Sequence, residues 1–325
     1  MELSGLISYF AFFLSMASVY AVLALGLNIQ WGYTGQLNIG VAAFFAVGAY
    51  TSAIATSPAS PDHLGGFALP FLVGLVLAMI VAGVLALGVG LITVNLRSDY
   101  LAIATIGIAE IVRLVLKNEA WLTNGVRGMP SIPGPFEELD GIAAALAYLA
   151  TLLAFVAGVY WLCQRLFRSP WARVLRAIRA NEDAVRAAGK DVLRFRVEAF
   201  VLGSMIMGLG GGLYAHFVGF ISPGAFDPMF ATFVVWVMLI AGGSGNNRGA
   251  LLGALAIWAV WTLSESMVGG LVDLGLLPDQ LATRAATLRI FLIGLLLEII
   301  LLTRPQGLLP ERPPRPIDDR APRSE

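Results

Sequence analysis

Nine long apolar runs, separated by short polar or glycine- and proline-rich segments, constrain the fold of this chain more than any other feature. A run of about 20 apolar residues is long enough to cross a lipid bilayer as a helix. Inside lipid every backbone amide must be paired within the protein, which only helices and closed barrels achieve. These runs are continuously apolar rather than alternating, which favours helices. The sequence therefore predicts an all-α, polytopic helical membrane protein with about nine transmembrane helices (roughly eight to ten).

The composition agrees with a membrane setting. Charged residues make up 13% of the 325 residues, against about 25% in soluble domains. The second and seventh spans are short or interrupted by glycine, so their status as full crossings stays open. The predicted spans are residues 6–27, 36–55, 69–94, 100–116, 142–167, 195–218, 230–241, 250–268 and 286–302.

The segment of residues 168–196 is the long polar stretch between two apolar runs, and it predicts an orientation. It carries eight of the 21 basic residues but only three acidic ones. Loops rich in lysine and arginine stay on the cytoplasmic side of a membrane. Alternation from this loop places the N-terminus outside and the C-terminus in the cytoplasm, with most acidic loop residues outside. Ser169-Pro170 also predicts the start of a helix within the loop, because proline fits the first turn.

Residues that commonly carry chemistry are few in this chain. The two histidines, His63 and His216, have no cysteine or second histidine at ligand spacing, so no metal site is predicted. The single cysteine, Cys163, excludes a disulfide within the chain. The one Gly-Lys pair, Gly189-Lys190, lacks the upstream glycine of a phosphate loop, so another polypeptide must hydrolyse any ATP that drives this protein. We expect no catalytic residue, no bound cofactor and no nucleic-acid partner.

Two ionisable residues, Glu110 and Arg113, fall inside the fourth predicted span, where charged side chains are costly and usually functional. Their three-residue spacing places both on one face of a helix, where opposite charges can pair. A structural ion pair and a pair that lines a transport pathway are both compatible with this spacing, so the sequence leaves the choice open.

Several motifs of the chain occur together, in the same order, in one family of membrane proteins. They are WGYTGQLNIGVAAFFAVGAYTSA (31–53), DYLAIATIGIAEIVRLVLKN (99–118), SPWARVLRAIRANEDAVRAAGKDVLRFR (169–196), AGGSGNNRGALLGA (241–254) and RPQGLLP (304–310). Through them the chain resembles the LivM-type inner-membrane permeases of branched-chain amino acid ABC importers. The resemblance implies a permease domain over residues 1–310 and a transporter subunit rather than an enzyme. Urea and short-amide permeases share these motifs, so the substrate stays open.

The resemblance also implies a mechanism and a set of partners. In this family a short cytoplasmic helix of the permease docks into the ATPase and transmits its closure, and a helix from Arg176 to Gly189 would serve here. The implied coupling residues are Arg176, Arg179, Glu182, Asp183, Ala184, Ala187 and Gly189. The implied partners are a second homologous permease, two ATP-binding cassette subunits that bind the ATP, a periplasmic or lipid-anchored substrate-binding protein, and the lipid of the bacterial inner membrane. A basic helix lying on anionic lipid is the alternative role of this segment.

The glycine-rich second span predicts the transport pathway. Helices softened or broken at mid-membrane expose backbone groups that can meet the charges of a zwitterion. The candidate pathway residues are Gly35, Gln36, Asn38, Gly40, Glu110 and Arg113. The alternative function is a secondary transporter driven by an ion gradient, with Glu110 and Glu298 as ion-binding groups, but it leaves the basic helix without a role. The proline- and charge-rich tail of residues 311–325 is expected to be disordered in the cytoplasm.

Overall fold

The structure, a computed structural model, describes residues 2–136, 138–139, 141–273 and 285–311, and most of this part of the chain is helical. Its α-helices are α1 (Glu2–Leu27), α2 (Val41–Thr56), α3 (Phe71–Thr93), α4 (Ser98–Asn118), α5 (Ala120–Thr123), α6 (Gly141–Phe167), α7 (Pro170–Ala180), α8 (Glu182–Ala187), α9 (Val192–Val218), α10 (Pro228–Ala231), α11 (Phe233–Gly242), α12 (Asn247–Asp273) and α13 (Ala285–Thr303). A π-helix covers Asn28–Tyr33. Residues 312–325 of the predicted tail lie outside the described residues.

Every predicted span contains a helix, although the helices differ in length and in how apolar they are. Within the described residues, three are long and apolar enough to cross a membrane: Ser4–Tyr33, α3 and α6. Shorter apolar helices are α2, α11 and the last part of α13. The prediction of an all-helical protein is thereby confirmed for the described chain, whereas the number of crossings and the orientation stay predictions.

Two predicted spans differ from the observed helices. The second was expected to begin at Gln36, but α2 begins only at Val41, because Gly35 leaves the helical region with a φ of +71°. The seventh span is broken at Thr232, between α10 and α11. The Thr232 hydroxyl accepts a hydrogen bond from the backbone amide of Ala42 at 3.0 Å. Both breaks therefore meet where α2 begins.

Helix α9 lies in the middle of the bundle, against α1, α2 and α3, and its glycines allow this packing. A Cβ atom added to Gly208 would lie 2.5 Å from the Cβ of Ala82 on α3, and one added to Gly48 of α2 would lie 2.1 Å from the carbonyl oxygen of Gly208. Lipid provides no hydrophobic force between helices, so small residues at the contact supply the packing instead. The glycine spacing on α9 thus serves helix packing.

The loops fall into two groups, one at each end of the bundle, and the loops within a group contact one another. At the first end, the amide of Leu64 donates to the carbonyl of Trp121, and Met129 pairs with Ile221 in an isolated antiparallel bridge. At the second end, α7, the π-helix and residues 304–311 come together. The first end carries the loops predicted outside, and the second carries those predicted inside.

Candidate functional site

The junction between α1 and α2 is a break in the helix, and it is buried. The π-helix Asn28–Tyr33 continues α1, and residues 35–40 then run as a non-helical stretch into α2. Asn28, Gln30 and Tyr33 on the π-helix are all fully buried. Single π-turns are rare and frequently mark functional sites. Polar side chains and non-helical backbone are therefore concentrated at one place inside an apolar bundle.

Four polar side chains form a network that fixes α12 to the π-helix. The Oδ1 atom of Asn247 accepts hydrogen bonds from Asn28 Nδ2 at 2.9 Å and from the Tyr33 hydroxyl at 2.7 Å. The Nδ2 atom of Asn247 donates to Oε1 of Gln164 at 2.9 Å. Asn247 is 2% exposed, so water does not compete for these bonds. The first residue of α12 thus links α1 and α6.

The candidate pathway residues Gln36 and Asn38 belong to a second buried set. Gln30 donates from Nε2 to the carbonyl of Phe200 on α9 and accepts from Asn38 Nδ2, both at 2.7 Å. Gln36 donates from Nε2 to the carbonyl of Arg196 at 2.8 Å. Gln36 is fully buried, yet its Oε1 atom has no hydrogen-bond partner in the described part of the chain. One buried acceptor of this segment is therefore not used by the described residues.

The two candidate glycines bracket the stretch between the π-helix and α2. A Cβ atom on Gly35 would lie 3.1 Å from Cγ of Arg179 on α7, and one on Gly40 would lie 2.6 Å from the carbonyl oxygen of Thr105 on α4. The Thr105 hydroxyl also accepts a hydrogen bond from the amide of Ile39 at 3.0 Å. The stretch is therefore held between α7 on one side and α4 on the other.

Glu110 and Arg113 lie on α4 and bind each other. Arg113 donates from Nε to Glu110 Oε2 at 2.9 Å and from Nη2 to Glu110 Oε1 at 2.5 Å. Their side chains are 40% and 24% exposed, respectively, on a helix with exposed Ile106 and Ile111. Among the described residues no hydrogen bond joins this pair to residues 35–40. The structure thus brings the two charges together, while Thr105 provides the contact between α4 and the break.

The predicted coupling helix consists of two helices rather than one. Helix α7 begins as predicted, with Ser169 as its cap and Pro170 in its first turn. Asn181 then adopts an extended conformation, with φ −158° and ψ 101°, and its side chain accepts a hydrogen bond from the amide of Ala184 at 3.0 Å. Asparagine side chains compete with the helix for backbone amides in this way. A continuous helix to Gly189 is therefore wrong, because Asn181 ends one helix and caps the next.

Four of the predicted coupling residues face away from the protein. The exposed residues are Asp183, Ala184, Ala187 and Gly189. The Asp183 side chain is 93% exposed, and a Cβ atom built on Gly189 would have nothing within 4 Å. Gly189 follows α8 with a φ of +75°, as glycines that terminate helices commonly do. The open surface around α8 thus carries the small residues Ala184, Ala187 and Gly189 beside the charged side chains of Asp183 and Arg186.

The other predicted coupling residues turn inward instead. The guanidinium of Arg176 lies over the ring of Phe167, 4.4 Å from its centroid. Glu182 forms an ion pair with Arg196 at 3.2 Å, and the Arg196 side chain is only 11% exposed. Arg179 reaches the π-helix. These three side chains attach α7 and α8 to the bundle, although those of Arg179 and Glu182 remain about one-third exposed.

Sequence reasoning missed the neutral polar residues that build the two networks. They are Asn28, Gln30, Gln164, Ser204 and Asn247. The available signal was their position within or at the ends of apolar runs. An amide buried without a partner is costly in lipid, as a charge is, so uncharged amides in predicted spans indicate internal partners.

Known proteins match this chain along most of its length. Residues 9–301 match the family described as the permease component of the branched-chain amino acid transport system. The chain belongs to this family. The "Probable branched-chain amino acid transport permease protein LivM" of Methanocaldococcus jannaschii is 31% identical over 91% of each chain. The "High-affinity branched-chain amino acid transport system permease protein LivM" of Salmonella typhimurium is 30% identical over 93% of this chain and 70% of its own length.

This chain is also similar to a second type of permease subunit. The LivH permease protein of Salmonella typhimurium is 23% identical over 78% of this chain and 83% of its own length. No solved structure matches the chain. The resemblance to LivM-type permeases that the motifs indicated is therefore confirmed.

Proposed function

We propose that this protein is the multi-pass, membrane-spanning permease subunit of an ATP-driven importer for branched-chain or related amino acids in the bacterial inner membrane. The observation that carries the proposal is the buried polar helix break at residues 28–40, which is attached to a helix pair with an exposed surface. The names of its LivM relatives support the class of cargo. Moving cargo across a membrane requires no catalytic residue or cofactor in this chain, because separate ATPase subunits bind the ATP.

The cargo route follows residues 35–40. A zwitterionic amino acid needs an acceptor for its ammonium group and donors for its carboxylate. Gln36 Oε1 and Arg196 Nε are a buried acceptor and a buried donor without partners among the described residues. The two residues are joined by the hydrogen bond from Gln36 to the Arg196 carbonyl. Glu110 and Arg113 remain candidates for lining the cargo route, because they lie on α4, which contacts the helix break through Thr105.

The coupling surface is the exposed face of α8. Asp183, Ala184, Ala187 and Gly189 form a small, open surface, onto which the cleft of an ATPase subunit would dock. Arg176, Arg179 and Glu182 would then pass its movement to the bundle. We assign residues 1–310 to the permease domain, with residues 168–196 as its cytoplasmic coupling part and with the C-terminus on the same side.

The complete importer would contain further subunits. A second homologous permease is supported by Salmonella typhimurium, in which both a LivM and a LivH protein are similar to this chain. Two ATP-binding cassette subunits would bind the α8 surface and its equivalent in the partner. A periplasmic or lipid-anchored binding protein would dock at the opposite end of the bundle, where the loops around Leu64, Trp121 and Met129 contact one another.

The test is ATP-driven uptake by the complete importer in proteoliposomes, with leucine and urea as competing cargoes. We expect leucine uptake that requires both ATP and the ATPase subunits. Ala187→Arg should insert normally but lose the ATPase subunits, since it puts a long charged side chain on the α8 surface. Ala120→Arg, at an exposed alanine at the opposite end of the bundle, is the matched control and should retain the ATPase subunits; retention of these subunits is the property compared, because Ala120 adjoins the loops assigned to the binding protein. Uptake by this chain alone under an ion gradient, or normal ATP-driven uptake by Ala187→Arg, would contradict the proposal.

A further inference from the structure

The last described residues of the chain fold back over the turn between α11 and α12. The amides of Leu308 and Leu309 donate to the carbonyls of Ala241 and Gly242, each at 2.9 Å. These two backbone hydrogen bonds attach the segment of residues 304–311, which is termed the C-terminal strap below. The strap includes Glu311, the first residue of the expected tail.

One arginine connects this strap to the helix break. Arg179 on α7 donates from Nη2 to Glu311 Oε2 at 2.5 Å. The other terminal nitrogen of the same guanidinium, Nη1, donates to the carbonyl oxygen of Gly32 in the π-helix. The methylene stem of Arg179 packs on Gly35, where a Cβ atom would lie 3.1 Å from its Cγ. A single side chain thus joins α7, the π-helix and the strap.

The chemistry of arginine makes this connection stiff. The guanidinium is planar and presents its donors in a fixed fork, so both acceptors must keep their relative positions for both bonds to persist. Hydrogen bonds from a charged donor are about twice as strong as neutral ones. The Arg179 and Glu311 side chains are 33% and 24% exposed, so solvent screens the ion pair only in part. Movement of α7 that keeps the Nη1 bond therefore carries Gly32 with it, and movement that leaves Gly32 behind breaks that bond.

We propose that Arg179 and Glu311 are positioning residues that transmit the movement of α7 to the helix break at Gly32. The strap holds Glu311 in place, and Glu311 orients the guanidinium towards the Gly32 carbonyl. This proposal rests on the proposed function, because it requires that an ATPase moves α7 and α8. It specifies the atoms through which Arg179 acts on the bundle, and it gives Glu311, the residue after the RPQGLLP segment, a role in transport.

The test compares ATP hydrolysis with amino acid uptake in the same proteoliposomes containing the complete importer. For Arg179→Gln, hydrolysis should stay near the wild-type rate, while the amino acid imported per ATP falls about tenfold, as expected for loss of a charge-assisted bond. For Glu311→Gln we expect a fall of about threefold, because a partly exposed ion pair contributes little. Arg165→Gln is the matched control. Its guanidinium lies over the Trp161 ring at 5.6 Å, so the ratio should not change.

A charge swap separates the two bonds of Arg179. Combining Arg179→Glu with Glu311→Arg restores an ion pair but leaves the Gly32 carbonyl without its donor, so import per ATP should stay low. Arg179→Lys keeps the charge and the stem, and should retain more coupling than Arg179→Gln. Recovery of wild-type coupling by the swap, or unchanged coupling in Arg179→Gln, would overturn this proposal while ATP-driven uptake persists. Failure of the wild-type importer to take up amino acid with ATP would overturn the proposed function, and this proposal with it.

Discussion

Asn247 offers a quantitative test of how the helix break is held. Substitution Asn247→Ala removes three hydrogen bonds, to Asn28, Tyr33 and Gln164, at a site that is 2% exposed. Alanine offers no replacement bond. Asn28, which is fully buried, loses its side-chain acceptor, whereas the Tyr33 hydroxyl can still reach the Cys163 carbonyl at 3.4 Å and Gln164 is only half-buried. We therefore expect loss of stability well beyond that of a surface substitution.

The magnitude follows from the number of bonds. Side-chain hydrogen bonds between membrane helices contribute about 0.6 kcal/mol on average and up to about 1.7 kcal/mol. Three bonds therefore give about 2 kcal/mol, and the unpaired amides left behind raise the expected loss to about 2–4 kcal/mol. Tyr33→Phe removes one of the same bonds, so it should cost about 1 kcal/mol.

The assay is reversible unfolding of the purified protein in mixed micelles, with a double-mutant cycle between Asn247→Ala and Tyr33→Phe. Because both changes remove the same bond, the double variant should be more stable than the sum of the single losses predicts, by about 1 kcal/mol. Tyr100→Phe is the control, since Tyr100 is 60% exposed, and its stability should not change. Additivity of the two substitutions within about 0.3 kcal/mol would refute the network as the structure describes it.

Two further predictions concern orientation and the ion pair on α4. With Cys163 replaced by alanine, a cysteine at Ala59 should react in intact cells with a membrane-impermeant thiol reagent and one at Ala180 should not; both positions are exposed, so the opposite pattern would invert the orientation. Glu110→Gln should lower the yield of folded protein, since an unpaired Arg113 within lipid costs about 3 kcal/mol, and Arg113→Gln should restore part of that yield. A double variant that is well expressed but inactive in transport would instead place the pair in the pathway.

The positions of the helices could be predicted from sequence because lipid forces every backbone amide in a span into a helix. The break after α1 could not. Its π-helix is held by a hydrogen bond between the side chains of Asn28 and Asn247, which lie 219 positions apart in the sequence. No local sequence pattern predicts a partner at that distance. The division between α7 and α8 is different, since Asn181 followed by Glu182 and Asp183 is a local capping signal. The inward direction of Arg179 again depends on a distant residue, Glu311.

The two sides of the π-helix are held by different kinds of interaction, and this difference bears on transport. The neutral side-chain amides of Asn28 and Asn247 form one contact of the π-helix, and the charged guanidinium of Arg179 forms the other, with the Gly32 carbonyl. Side-chain amides both donate and accept, so a displaced amide can take a new partner, whereas the planar guanidinium presents its donors in a fixed fork. A push on α7 would therefore act through the stiff contact and rearrange the adaptable one. In the proposed importer, the break at residues 28–40 is thus the place where movement of α7 would change the arrangement of the polar groups along the route.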